Sequence, residues 1–184
     1  MLWLIRHGET EWSLSGAHTG RTDLALTAAG EQKAAKIADK LAGQQFGLVL
    51  VSPLQRARRT CELAGYGAAA QIEPNLLEWN YGDYEGLTTA DIRRSRPGWY
   101  LFRDGVPNGE TIEQVADRAR RVVERATAVE GDAALFAHGH ILRILAACWL
   151  GLPPVDAKLL ALSTASVSTL GYEHETRVIT RWNL

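Results

Sequence analysis

Short apolar runs recur along the chain, each closing on glycine, proline or a polar turn, with helix-periodic stretches between them. The first run, Leu2-Trp3-Leu4-Ile5, reads as a buried strand that stops at Arg6-His7-Gly8. Thr27 then opens a helix to about Leu41, with Ala34, Ile37, Ala38 and Leu41 on one face. Gly47 to Val51 is a second strand. It closes on Ser52-Pro53-Leu54-Gln55, which matches a capping box with proline at the first helical position. Ala69 to Ile72 reads as a third, short strand. Residues 73–110 are weakly periodic and rich in Trp, Tyr, Gly and Arg, with room for one or two short helices. A stretch of that length in a compact domain is functional more often than idle. Thr111-Ile112-Glu113-Gln114 is another capping box, and Ile112, Val115, Ala119, Val122, Val123 and Ala126 form the apolar stripe of the helix behind it. Ala133 to Ala137 is a strand ending in His138-Gly139-His140. A mostly apolar helix follows and stops at Gly151, Pro153 and Pro154. Ala165–Tyr172 and Arg177–Trp182 read as a hairpin that closes the sheet.

Strand-helix alternation predicts an α/β protein, a three-layer α/β/α sandwich around a mostly parallel central sheet. No repeat, linker or low-complexity tract divides the chain, so residues 1–184 are expected to form a single domain. A net charge of −1 gives no global field for nucleic acid, so any anion site must be local. The most apolar later stretch, Ile141 to Leu152, is too short for a membrane span and carries Arg143. Met1 leads directly into the first strand without a basic leader, so a soluble cytoplasmic protein is expected. Cys61 and Cys148 stand far apart without a CxxC pattern, which fits free thiols in a reducing compartment.

The chemistry gathers at strand ends. Arg6 and His7 are costly beside a hydrophobic core unless an anion meets them. Arg56 follows the second strand and His138 the fourth, and in open α/β sheets the carboxyl ends of parallel strands share one ligand crevice. On a regular strand Arg6 and His7 would point to opposite faces; Gly8 lets the chain turn so that both reach one pocket. The HxH of His138 and His140 can ligate zinc, but no matching Cys, His or carboxylate set stands at ligand spacing. No metal and no cofactor are therefore expected.

Six segments, RHGETEW, HTGRTDLALTAAG, SPLQRA, LLEWNYGDYEGL, NGET and FAHGH, stand in the order and spacing of one family across nearly the whole chain. By them the chain resembles the histidine phosphatase (phosphoglycerate mutase-like) superfamily, and most closely its sugar-bisphosphatase and acid phosphatase branch. The resemblance implies His7 as the nucleophile that becomes phosphorylated and Glu78 as the proton donor. It implies Arg6, Arg56 and His138 as phosphate ligands, helped by Ser13 (where many members have asparagine), the Thr19-Gly20 loop and the backbone N–H of Gly139. Some members carry an aspartate directly after the second histidine; Gly139 stands there in this chain, which leaves the acid role to Glu78. The implied activity is hydrolysis of phosphomonoesters of small metabolites, sugar phosphates or bisphosphates, through a phosphohistidine. The alternatives are mutase-type phosphoryl transfer and a non-catalytic phosphate-binding module. Mutases of the family carry insertions and a C-terminal tail that this short chain lacks, and a non-catalytic module would be expected to have lost His7 or Glu78. The partner is thus a small phosphorylated metabolite, with no nucleic acid and no membrane. Elsewhere, His18 and His174 are expected at the surface, with His18 a minor candidate for substrate contact because the resemblance brings the loop before Thr19-Gly20 near the substrate; His140 is expected as a structural helix-start residue, and Glu110 as a turn or helix-dipole residue. Arg94 and Arg103 are candidates for a second anionic group of the substrate.

Overall fold

The computed structural model describes residues 1–41 and 43–184. In chain order the elements are β1 (Leu2–Arg6), α1 (Glu11–Ser15), α2 (Ala28–Ala35), α3 (Ile37–Lys40), β2 (Phe46–Val51), α4 (Gln55–Leu63), β3 (Ala70–Ile72), α5 (Thr89–Ser95), α6 (Leu101–Asp104), α7 (Ile112–Thr127), β4 (Asp132–Ala137), α8 (Gly139–Trp149), β5 (Val167–Glu173) and β6 (Thr176–Arg181). They build one six-stranded sheet in the order β3-β2-β4-β1-β5-β6. The first four of these are mutually parallel, and β5 and β6 run antiparallel as a terminal hairpin.

The central parallel strands are apolar along Leu2–Ile5, Leu48–Val51 and Ala133–Ala137 because both faces are covered there. Leu2, Leu4, Leu48, Leu50, Ala133 and Leu135 point to one face, where they pack with α7 and α8. Their neighbours Trp3, Ile5, Val49, Val51, Ala134 and Phe136 point to the other, against Ala34 and Ile37 of α2–α3 and Ala57 and Cys61 of α4. Period-two alternation between two apolar faces makes the three layers. Each fully buried Leu, Ile, Val or Phe of these strands contributes about 1.5–3 kcal/mol against conformational entropy.

The predicted elements recur with two differences. The helix after Thr27 is interrupted at Lys36 and continues as α3. The expected cap of α4 by Ser52 does not form. Leu54 stands at the N-cap position without a side-chain bond, and α4 starts at Gln55. The Ser52 hydroxyl is held by His138 Nε2 at 2.7 Å, while the free N–H of Gln55 donates to Asp23 Oδ1 at 2.8 Å. A buried histidine outcompetes the helix end for the serine, and an aspartate from another loop caps the helix instead.

Candidate active site

Between β1 and β4 the chain leaves the sheet in opposite directions. From β1 it passes over one face through α2 and α3 to β2; from β4 it passes over the other face through α8 to β5. The carboxyl ends of these two strands therefore flank a topological switch point, where α/β sheets open a crevice. Arg6 pairs in register with Ala137, so His7 and His138 leave the sheet side by side. His7 is pinned on both sides: its N–H donates to Ala137 O at 2.9 Å, and its carbonyl accepts from Ala165 N at 3.0 Å. Gly8 then turns the chain against α2, where an added Cβ would meet Gly30 O at 2.7 Å.

His7 is 5 % exposed, and its Nδ1 lies 2.6 Å from Gly8 O. A carbonyl can only accept, so Nδ1 carries the proton and Nε2 presents a lone pair. Burial, and after it the charges of Arg56 and Arg6, holds the imidazole well below the usual histidine range. His7 is thus a neutral, oriented imidazole set among fixed positive charges. The His138 ring lies 5.1 Å from that of His7, centroid to centroid. Arg56, with no exposed surface, donates through Nε to His138 Nδ1 at 3.1 Å and through its other nitrogens to the carbonyls of Thr19, Gly20 and Thr22. Because an arginine only donates, His138 keeps its proton on Nε2 and donates it to Ser52. Burial, then Arg56 and His7, holds His138 well below the ordinary range as well.

A cavity of about 180 Å³ opens over His7. Arg6, Ser13, Thr19, Glu78 and Gly139 line it with His7. Arg6 donates one guanidinium nitrogen to Leu162 O, and its Nε is the only buried side-chain nitrogen or oxygen without a partner among the described residues. A buried donor left unpaired beside a cavity is costly unless a ligand acceptor completes it. Glu78 lies at the N-terminus of α8. Its Oε1 accepts from Trp79 N and Ile141 N, and its Oε2 from His140 N, each at 2.9 Å. Leu142 N bonds His138 O. Of the unpaired N–H groups at the start of the helix, Gly139 N–H is left for a ligand.

The structure brings six of the nine expected residues to the cavity lining and reassigns the work of several. Arg56 and His138 lie outside the lining, both fully buried. Gly20 also lies outside it: its N–H donates to Glu85 at 2.9 Å and its carbonyl accepts from Arg56. Ser13 lines the cavity, but its single hydroxyl proton goes to Thr10 O at 2.8 Å in the capping box of α1. Arg94 and Arg103 point elsewhere, 79 % and 64 % exposed, and pair with Asp91 and Asp104.

Sequence reasoning missed most of the other wall of the cavity, where Trp12, Tyr81, His140 and Arg143 join the minor candidate His18. His18 is half-buried, its ring packed 4.9 Å from Tyr81 and 5.5 Å from Trp99. His140 is more than a structural helix start. The Tyr81 hydroxyl, which burial and then Glu78 push well above the usual phenol range, keeps its proton and is hydrogen-bonded to His140 Nδ1 at 2.5 Å. Arg143 is one turn further along α8, stacked 4.7 Å over the Phe102 ring. Its i, i+3 spacing from His140 was the available signal. Among the described residues no cluster of three or more His, Cys, Asp or Glu has metal-site geometry, and no helix is long and apolar enough to cross a membrane.

The family profile described as "Histidine phosphatase superfamily (branch 1)" matches residues 2–184. The chain is 41 % identical to an acid phosphatase of Mycobacterium tuberculosis, over 96 % of this chain and 88 % of that one. It is 38 % identical to the sedoheptulose 1,7-bisphosphatase of Saccharomyces cerevisiae, over 81 % of this chain and 67 % of that one. The solved structure of an open-reading-frame product of Mycobacterium tuberculosis superimposes with a TM-score of 0.94 at 38 % identity, covering 100 % of this chain and 96 % of that one.

Proposed function

The chain belongs to the histidine phosphatase superfamily, branch 1, and on that footing we propose that it hydrolyses phosphomonoesters of small metabolites through a phosphohistidine on His7. The observation that carries this reading is the pairing of a neutral, oriented His7 with the unpartnered, buried Nε of Arg6 at one cavity. In the proposed reaction the substrate phosphate accepts from Arg6 Nε and Gly139 N–H. His7 Nε2 attacks phosphorus in line, the P–O bond to the leaving group breaks, and the departing oxygen takes a proton from Glu78. Gly8 O stays on Nδ1–H and supports the positive charge that the ring gains on phosphorylation. Water then attacks phosphorus and gives its proton back to Glu78, which frees His7 and inorganic phosphate. Arg56 and Arg6 supply fixed positive charge near the transferring group, so the scheme calls on no metal and no cofactor.

The cationic Arg143 in the cavity wall, beside His140, favours substrates with a second anionic group, a role expected from sequence at Arg94 and Arg103. Bisphosphates of sugars, as in the name of the yeast relative, fit that description. A small cavity of about 180 Å³ suits a metabolite better than a nucleic acid or a membrane surface, and the free thiols of Cys61 and Cys148 suit a reducing cytoplasm. The test is a panel of phosphorylated metabolites in EDTA. Wild type should turn over undiminished by chelation, and His7→Ala should lose at least about 10³-fold in kcat. Arg143→Ala should raise KM about tenfold for a substrate with a second anionic group and little for one without. Turnover retained in His7→Ala, or abolished by EDTA, contradicts the reading.

A further inference from the structure

Residues 75–80, which carry Glu78, have no strand or α-helix to hold them; Glu73 caps their start at Asn75, and a largely buried ion pair grips the part around Glu78. Arg118 of α7 is 9 % exposed and uses all five of its N–H donors. Its Nε and one terminal nitrogen grip Glu110 Oε1 and Oε2 at 2.8 and 2.9 Å. The other terminal nitrogen donates to Asn75 O and Leu77 O, both at 2.8 Å, and a longer bond of 3.4 Å reaches Glu78 O. Glu110 takes the far side of the loop. Its carboxylate accepts from Asn80 N at 2.8 Å, its own N–H donates to Asn80 O at 3.0 Å, and its carbonyl accepts from the Trp79 indole at 2.8 Å. Burial pushes the Glu110 carboxyl up, but Arg118 and the Asn80 N–H outweigh it and hold it below the usual carboxylate range. Neither side chain lines the cavity. Between them they hold the backbone at 75, 77, 78 and 80 and the indole of Trp79, on both sides of Glu78.

We propose that Arg118 and Glu110 are positioning residues that set Glu78 at proton-transfer distance from the leaving oxygen; this rests on reading Glu78 as the proton donor. The planar guanidinium is required, because only a fork can hold a carboxylate bidentately and face three carbonyls at once. A general acid displaced by a fraction of an ångström loses the reaction it serves and little else.

The readout is the ratio of kcat/KM on an alkyl phosphate, whose alkoxide needs a proton to leave, to that on p-nitrophenyl phosphate, whose phenolate does not. The ratio cancels the fraction of active protein, so partial unfolding of a variant does not move it. Glu78→Gln sets the scale. Arg118→Lys, which keeps the charge, and Glu110→Gln, which keeps the shape, should each lower the ratio about tenfold or more. Arg120→Met is the comparison on the same helix: it breaks the pairs with Asp117 and Glu113, neither of which bonds the loop at 75–80, and should leave the ratio unchanged. If Glu78→Gln lowers the ratio while Arg118→Lys and Glu110→Gln do not, the donor stands and the positioning role is overturned. If Arg120→Met lowers it as much as they do, general loosening replaces positioning. If Glu78→Gln itself leaves the ratio unchanged, the donor reading fails and the positioning role with it.

Discussion

An imidazole attacks phosphorus only through a nitrogen without a proton, so an enzyme of this kind must keep its histidine neutral while surrounding it with cations. Here one set of contacts does both. Burial and the charges of Arg56 and Arg6 disfavour imidazolium at His7, and those same arginines bring positive charge to the phosphate. In an NMR titration of the free protein, His7 should therefore show a midpoint well below about 6.5, the ordinary histidine value. A midpoint at or above that value contradicts the arrangement. Gly139 is the second sensitive position, because an added Cβ would stand 3.3 Å from Arg6 Cζ and 3.4 Å from its Nε. Gly139→Ala should push the guanidinium off its place and lower kcat/KM about tenfold, with little change in stability; steady-state kinetics beside a urea melt separates the two. At this scale the sequence named candidate residues for the chemistry but not what each one touches. Nothing in the chain says that Ser52 serves His138 and not its own helix, or that Ser13 turns its proton to Thr10. Both serines stand where a local rule and a distant partner compete, and a local rule is all that one sequence displays.

The nucleophile is placed by the contact of a loop with a helix. Behind Gly8, α2 approaches so closely that a Cβ on Gly30 would stand 2.2 Å from Glu9 O and 2.9 Å from Glu9 N. Gly30→Ala must push α2 away from the turn that aims His7. It should cost about 1–3 kcal/mol in urea unfolding and lower turnover in the protein that still folds. Unchanged stability contradicts this packing. Elements with a regular period were legible: the strands from their apolar runs, α7 from its stripe and the Thr111 capping box, which the structure reproduces. The stretch 73–110 was not, for a physical reason. It is organised by single long-range bonds from side chains to backbone, such as Trp99 Nε1 to Gly105 O and Arg118 to the carbonyls of 75 and 77, and such bonds leave no periodic trace.

For the molecule as a whole, three buried histidines couple folding to pH. Burial, and after it neighbouring arginines, holds His7, His138 and His140 well below the usual range, whereas in the unfolded chain they titrate near about 6.5. As pH falls through 6.5 the unfolded state takes up protons that the native state refuses. Stability is full above that pH and should decline below it by up to about 1.4 kcal/mol per pH unit for each histidine. Carboxylates such as Glu73 and Glu110 join only near about pH 4.3 and below, so urea melts between pH 7.5 and 5 isolate the histidines. Equal stability across that range contradicts buried neutral imidazoles. The three-layer architecture and the convergence of strand ends were legible in the sequence because alternation of strands and helices dictates both. Which strands become neighbours was not, since the order β3-β2-β4-β1-β5-β6 depends on which face each crossover takes. That order sets His7 beside His138 and makes a covalent relay geometrically available. Rapid acid-free quenching during turnover of a ³²P-labelled phosphomonoester, followed by peptide mapping, tests the relay directly. An alkali-stable, acid-labile phosphoryl group on His7, absent from His7→Ala, is the predicted result; a label on any other residue, or turnover without a label, contradicts it.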